Sequence, residues 1–357
     1  MLEVARGLAA LGHEVHAVVG RTEGAPEVET DGGVVWHRIH WSPPLRYFRF
    51  RARKAVAQVA AAFGPEVVIE RYYNFGGEGL AVARERGLPS LLEVNSPVVD
   101  HAGSWKARLD GVMGRPLRRY RETLCRWATA LVSPIPEIIP GFARGKTEIV
   151  TWGANVTAFH PAKRSKEQRR ALGIPDDAVA VLFSGSFRPW HGVHVVEAAA
   201  RLLSGRSDLY FVFVGGPISG DADGFRGRRL GAVAYERMPE IVASADIGVA
   251  PYDPSRLKQL RLGFYWSPLK IFEYMASGLP TVTITRPPLT EIVREEEDGL
   301  HVAEGNPRAL ALALTRLADD GALRARMGAS ARARVVERYS WERHCAQIDG
   351  VLRRIVG

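Results

Sequence analysis

Lys270 and Glu273 stand three residues apart in the stretch Ser267-Pro268-Leu269-Lys270-Ile271-Phe272-Glu273-Tyr274-Met275-Ala276-Ser277-Gly278. A cation in the first turn of a helix, with a carboxylate one turn along, can hold a phosphate at one end of a ligand and a diol at the other. The helix start adds free N–H groups and partial positive charge. Nucleoside diphosphates have that shape. The stretch carries signals for both helix ends: Ser267 as cap, Pro268 as first helical residue, and Gly278 as the left-handed residue that closes the helix. Leu269, Phe272 and Ala276 recur at helical spacing and predict the buried stripe, which leaves Lys270 and Glu273 on another face. The same pair also reads as a solvated i, i+3 contact worth about 0.2–0.5 kcal/mol.

Other residues of phosphate-binding type follow predicted strands. After Val181-Leu182-Phe183 comes Ser184-Gly185-Ser186-Phe187-Arg188-Pro189-Trp190-His191-Gly192. Its glycines let the backbone approach a pyrophosphate, and a guanidinium can bind two phosphate oxygens at once. A tight strand-to-helix turn with a surface arginine is the other reading of this segment. Gly215-Gly216 follows the next strand, and Tyr235 follows Gly231 to Ala234, so that backbone and ring could bracket a base. Tyr235 also reads as a packing residue.

The elements that would position these residues alternate along the chain. Met1 to Leu11 predicts an amphipathic helix and Glu14 to Val19 a strand. Gly33 to Ile39, Glu66 to Glu70, Ser90 to Val94, Thr129 to Val132 and Thr147 to Val150 predict further strands, with helices at Tyr47 to Phe63, Phe75 to Arg86 and Trp105 to Trp127. Such alternation predicts an α/β domain, doubly wound around a parallel sheet, over residues 1–160. Pro161 to Asp177 is polar and broken by Pro175, and predicts a linker over 161–177. A second α/β domain is predicted over 178–338, with strands at Val179 to Phe183, Leu209 to Val214, Gly231 to Ala234, Ile247 to Ala250, Thr281 to Ile284 and Leu300 to Val302. The last predicted element, 339–357, is a helix crossing back to the first domain. Open sheets of this kind bind ligands at the carboxyl ends of their strands.

At 357 residues and 46% apolar content the chain can bury two cores. Its net charge of +9 points to an anionic partner. The basic residues are spread along the chain without a nucleic-acid module, so no nucleic-acid partner is expected. Two cysteines exclude a disulfide framework and a cysteine metal site, and fit a reducing, cytoplasmic location.

In order, Gly185-Ser-Phe-Arg-Pro-Trp-His-Gly-Val, Phe213-Val-Gly-Gly, Ala245-Asp-Ile-Gly-Val-Ala-Pro, Lys270-Ile-Phe-Glu-Tyr-Met-Ala-Ser-Gly-Leu-Pro-Thr-Val, Glu291-Ile-Val and Asp298-Gly-Leu resemble the retaining glycosyltransferases of family 4. Tyr339-Ser-Trp-Glu is similar too, as are Gly12-His-Glu-Val, Glu93-Val-Asn-Ser-Pro and Thr151-Trp-Gly-Ala-Asn-Val. The resemblance implies a GT-B fold of two facing Rossmann-like domains with a central cleft. It also implies transfer of a sugar from a nucleoside diphosphate sugar, hexosyltransferase-like, with retention and with neither metal nor cofactor. Glu273 would bind the ribose hydroxyls, the N–H groups of Leu269 and Lys270 the diphosphate, and Arg188 would neutralise the leaving phosphate. Gly185, Ser186, His191, Gly215 and Tyr235 would complete the donor site.

Three departures from the family pattern bear on the site. Tyr265 stands eight positions before Glu273, where a sugar-contacting glutamate is usual. Ser186 and His191 stand nearest the usual basic pair. Asn95 stands where a histidine often ends the fourth strand, with His101 as a substitute candidate. The family also opens with a strand and a glycine-rich loop ahead of the first helix, so the natural reading frame is expected to begin upstream. The acceptor is open among glycolipid, polysaccharide and small molecule, with a cell-envelope role implied by the resemblance. Arg46 to Lys54 and the basic run Arg115 to Arg126 could rest on anionic membrane at its inner face, or be ordinary solvated helix faces. A catalytically weak sugar-nucleotide binding protein and a sugar-nucleotide epimerase are the alternative functions.

Overall fold

The computed structural model of the protein describes residues 2–21, 23–39, 52–101, 103–265 and 267–357. The chain forms two units: Met1–Trp152 with Tyr265–Ser267 and Trp341–Gly357, and Gly153–Phe264 with Pro268–Ser340.

In the first unit, Val4, Ala5 and Leu8 form the buried stripe of helix α1 (Leu2–Ala10), which leads into strand β1 (Val15–Gly20). Strands β2 (Val28–Asp31) and β3 (Val34–Ile39) form a hairpin in which Asp31 pairs with Val34. Its two-residue turn is Gly32-Gly33, both at positive φ, the backbone that such a turn requires. β2 is exposed throughout and lacks an apolar face, so periodicity missed it; the Gly-Gly pair was its available signal. Helix α2 (Arg53–Phe63), β4 (Val68–Arg71), α3 (Glu78–Arg86), β5 (Ser90–Glu93), α4 (Trp105–Met113), α5 (Pro116–Trp127), β6 (Ala130–Ser133) and β7 (Thr147–Ile149) follow. The expected helix from Tyr47 and the basic stretch from Arg46 lie outside the described residues as far as Arg51.

The expected single parallel sheet is two sheets here, β1-β3-β2 and β4-β5-β6-β7, and β2 runs antiparallel to β3. They share a core: Val15 of β1 and Ile69 of β4 pack on one cluster with Leu8, Leu91 and Val132.

Arg121, within the basic run Arg115 to Arg126, is not a surface charge. It is 2% exposed, and its guanidinium donates to the Val98 carbonyl at 2.7 Å and to both Asp100 carboxylate oxygens at 3.0 and 2.6 Å. Asp110 lies 3.6 Å away and accepts from the Leu117 and Arg118 N–H groups, so it closes the start of α5. Arg121→Ala leaves two carboxylates without their shared cation and is expected to lower unfolding free energy by about 3–5 kcal/mol, read by urea denaturation.

The second unit has one six-stranded sheet of order β10-β9-β8-β11-β12-β13, built from β8 (Val179–Ser184), β9 (Leu209–Asp221), β10 (Gly227–Gly231), β11 (Ile247–Ala250), β12 (Thr281–Ile284) and β13 (Gly299–Val302). The strand expected at Gly231 to Ala234 ends at Gly231 instead. Helices α6 (Lys166–Ala171), α7 (Val193–Leu202), α8 (Met238–Ala243), α9 (Leu269–Ala276), α10 (Leu289–Ile292), α11 (Pro307–Asp319) and α12 (Gly321–Arg338) complete the unit.

Residues 161–177, expected as a linker, pack into this second unit. Asp246 accepts from Arg164 at 2.8 Å, from Arg169 at 3.0 Å and from the Ala180 N–H at 2.7 Å, so its carboxylate ties the segment to β8. The polar composition of the segment thus reflects an internal ion network. Helix α13 (Trp341–Val356) belongs to the first unit, where Ile348, Val351 and Leu352 join the cluster of Val4 and Leu8.

Candidate functional site

β8 and β11 are parallel neighbours, so the loop leaving β8 and the segment leaving β11 toward α9 emerge at the same edge of the sheet. The Tyr274 hydroxyl fastens α9 to this edge: it accepts from the Ser184 N–H at 2.8 Å and shares a hydrogen bond with the Ser184 hydroxyl at 2.9 Å. Gly185, Ser186, Gly215, Tyr235, Lys270 and Glu273 consequently line one pocket of about 690 Å³, wholly within the second unit.

Helix α9 departs from its expected form at its start and in its burial. Its N-cap is Pro268 without a side-chain cap, and the Ser267 hydroxyl instead accepts from the Trp152 N–H at 3.2 Å. Among the described residues no acceptor meets the N–H groups of Leu269 and Lys270, which leaves them available to a ligand. Ile271 to Ala276 are all buried, Glu273 included, so the helix has no solvated ion pair. Gly278 closes it at φ 73°, in the left-handed region.

The Lys270 ammonium is buried and has no hydrogen-bond partner among the described residues. It lies 4.3 Å from the centre of the Phe183 ring and 5.4 Å from that of Tyr252. Burial pushes its pKa down to about 7, against the attraction of Glu273. Glu273 is 7% exposed; burial pushes its carboxyl up to about 7, while the Tyr235 hydroxyl, donating to Oε1 at 3.0 Å, and Lys270 act against that rise. His191 Nδ1 is also buried without a partner among the described residues. Burial, then Lys270, then Arg188 lower its pKa to about 3, so the ring is neutral at pH 7. A Cβ placed on Gly185 would lie 2.7 Å from Lys270 Nζ and 3.0 Å from His191 Nδ1. Two unpartnered nitrogens thus converge on space that only glycine leaves open, a set completed by an anionic or polar acceptor.

Several expected site residues stand elsewhere. Neither Arg188, which is exposed, nor His191 is part of the pocket wall; the Nδ1 of His191 meets Lys270 Nζ beside Gly185, which does line the pocket. Tyr235, 55% exposed, borders the pocket and tilts against Phe159 with ring centres 5.9 Å apart. Tyr265 is 2% exposed and burial raises its hydroxyl pKa. Asn95 and His101 belong to the first unit. With its amide oriented to satisfy the hydrogen bonds, Asn95 accepts from the Arg71 guanidinium, which lies 4.7 Å from the centre of the Trp152 ring. His101 is half-buried before α4, its carbonyl accepting from the Ser104 N–H. The sequence did not single out Phe183 and Tyr252 as the floor beneath Lys270, since their ring positions carry no local signal of a cation. Asp298, in another motif, is a structural residue: fully buried, it holds Arg294 at 2.7 and 2.8 Å and Ser330 at 2.8 Å.

Residues 1–138 match the family model described as Glycosyltransferase Family 4, and residues 178–320 the one described as Glycosyl transferases group 1. A D-inositol 3-phosphate glycosyltransferase of Nocardioides sp. is 28% identical over 403 positions, covering 99% of this chain and 84% of that protein. Among solved structures, the sucrose-phosphate synthase of Thermosynechococcus elongatus superposes with a TM-score of 0.74 at 21% identity, over 99% of this chain and 91% of the other. Anabaena HepE in complex with UDP-glucose superposes with a TM-score of 0.63 at 16% identity, over 90% and 87% of the two chains.

Proposed function

Because the chain belongs to the group 1 glycosyltransferases of family 4, with their GT-B fold, we propose that it moves a sugar from a nucleoside diphosphate sugar to an acceptor hydroxyl, with the pocket around Gly185, Lys270 and Glu273 as donor site. The observation that carries this reading is the convergence of Lys270 Nζ and His191 Nδ1, both buried and unpartnered among the described residues, on the space beside Gly185. A diphosphate placed there meets an ammonium, an imidazole nitrogen and the two free N–H groups that open α9. Glu273, held by Tyr235, then faces the ribose diol. UDP-glucose in HepE supports a nucleotide sugar as the donor.

Transfer with retention would proceed by attack on the anomeric carbon from the face that the diphosphate leaves. The acceptor oxygen bonds to that carbon as its bond to the phosphate oxygen breaks, and the acceptor proton passes to the departing phosphate. Negative charge grows on that phosphate, and Lys270 with the helix start stabilises it in a low-dielectric site. In this reading Lys270 carries most of the charge neutralisation that the family resemblance implied for Arg188.

A thermal-shift panel of UDP, ADP and GDP and their glucose conjugates tests the reading. At least one nucleotide is expected to raise the melting temperature while free glucose does not; a panel with no shift at millimolar ligand would overturn it. Binding of the active nucleotide sugar, whose diphosphate does not itself titrate near neutrality, is also expected to peak near pH 7. A bound diphosphate favours charged Lys270, so affinity falls as pH rises above about 7; ribose hydroxyls favour ionised Glu273, so affinity falls below about 7. Calorimetric titration across pH 5–9 reads both limbs. Lys270→Met should remove the alkaline limb and Glu273→Gln the acid one.

A further inference from the structure

Helix α4 is turned inside out. Its charged Asp110 is 3% exposed and Lys106 is half-buried, donating to Asn74 at 2.8 Å, so the polar side faces the protein. Trp105, Leu109, Val112 and Met113, spaced i, i+4, i+7 and i+8, share the opposite face and are 64%, 40%, 89% and 59% exposed. Isolated exposed apolar residues are ordinary, but four on one stripe of a nine-residue helix form a surface that water does not favour. The arrangement is held firmly: Asp110 accepts from the first N–H groups of α5 and lies beside buried Arg121, so α4 cannot roll its apolar stripe inward without breaking that set.

The chemistry around the stripe identifies what covers it. Arg108 on α4 and Arg115 and Arg119 beyond it are exposed, and no carboxylate among the described residues lies within ion-pair distance of them. A tryptophan at one end, aliphatic side chains along the stripe and arginines beside it are the composition of a helix lying in the boundary between lipid headgroups and acyl chains. The helix is too short to cross a bilayer, and among the described residues no helix is long and apolar enough to do so. We propose that the α4 face docks the protein onto an anionic membrane surface, with Trp105, Leu109, Val112 and Met113 entering the interface and Arg108, Arg115 and Arg119 contacting lipid phosphates. The described part of the earlier basic candidate, Arg115 to Arg126, contributes only through its exposed members; buried Arg121 serves the fold.

Cosedimentation with vesicles of phosphatidylglycerol mixed into phosphatidylcholine, and with phosphatidylcholine alone, tests the proposal. The full chain is expected to bind the mixed vesicles at low salt and to lose most binding as salt rises or when the anionic lipid is omitted. The double substitution Val112→Glu with Met113→Glu should lower the bound fraction about tenfold or more, with melting temperature and nucleotide binding unchanged because both side chains are exposed. Arg108→Glu with Arg119→Glu should weaken binding and flatten its salt dependence. The proposal is overturned by absence of cosedimentation at low salt, or by apolar-face variants that bind as wild type does. It is also overturned if the chain self-associates through a contact that Val112→Glu dissolves while vesicles are not bound, which would make the stripe an interface between copies.

Discussion

Replacing Lys270 by alanine is expected to lower the rate of sugar transfer by about 100- to 1,000-fold, the loss typical when one preorganised donor to a developing oxyanion is removed. Lys270 is the cation whose nitrogen meets the space beside Gly185, and its position is set by ring faces, Phe183 and Tyr252, with no ion pair among the described residues to share its charge. Arginine should not rescue it, because a planar guanidinium cannot occupy the place of a compact ammonium beneath the Gly185 backbone. Single-turnover transfer at saturating donor separates this effect from weaker binding. A Lys270→Ala enzyme that transfers sugar at the wild-type rate would remove the pocket from the chemistry.

The second large effect is expected at Glu273. Hydrogen bonds to a charged acceptor contribute about 1.5–3 kcal/mol, so Glu273→Ala should weaken binding of the nucleoside diphosphate by roughly 10- to 100-fold. The isosteric change Glu273→Gln carries a signature that a purely structural role would not produce. Burial raises the Glu273 carboxyl to about 7, so the folded state holds the proton more tightly than the unfolded chain does, and stability falls as pH rises toward 7. Glu273→Gln removes that penalty and should raise the stability of the ligand-free protein at pH 8 by about 1–3 kcal/mol while weakening nucleotide binding. Urea denaturation and calorimetry on one preparation read both. A variant that loses stability and affinity together would mark Glu273 as a packing residue.

The α/β class, the alternation of strands and helices, and the extent of α9 were legible because each depends on residues within a few positions of one another. Gly278 ends α9 as local chemistry requires, and Leu91, Val132, Val181 and Val249 lie in strands where apolar runs placed them. The hairpin strand β2 was not legible by periodicity, since Val28–Asp31 buries nothing. The packing of segment 161–177 was not legible, because a polar stretch looks the same whether its partners are water or the half-buried carboxylate of Asp246. In α4 the stripe of Trp105, Leu109, Val112 and Met113 has the spacing of a core face, yet the tertiary structure puts Asp110 inside.

By itself, then, the sequence determined the helix that carries Lys270 and Glu273, the glycines beside it, and the order of motifs that resembles family 4. Only the tertiary structure decided which of the basic residues meet. Lys270 and His191 are far apart in the chain, and they approach because β8 and β11 lie side by side and release their loops at one edge of the sheet. Arg188, near His191 in the chain, is left exposed. Spacing along a helix reports which side chains share a face; it does not report the dielectric that face meets. That dielectric turns an ordinary i, i+3 pair into a lysine and a glutamate both poised near pH 7.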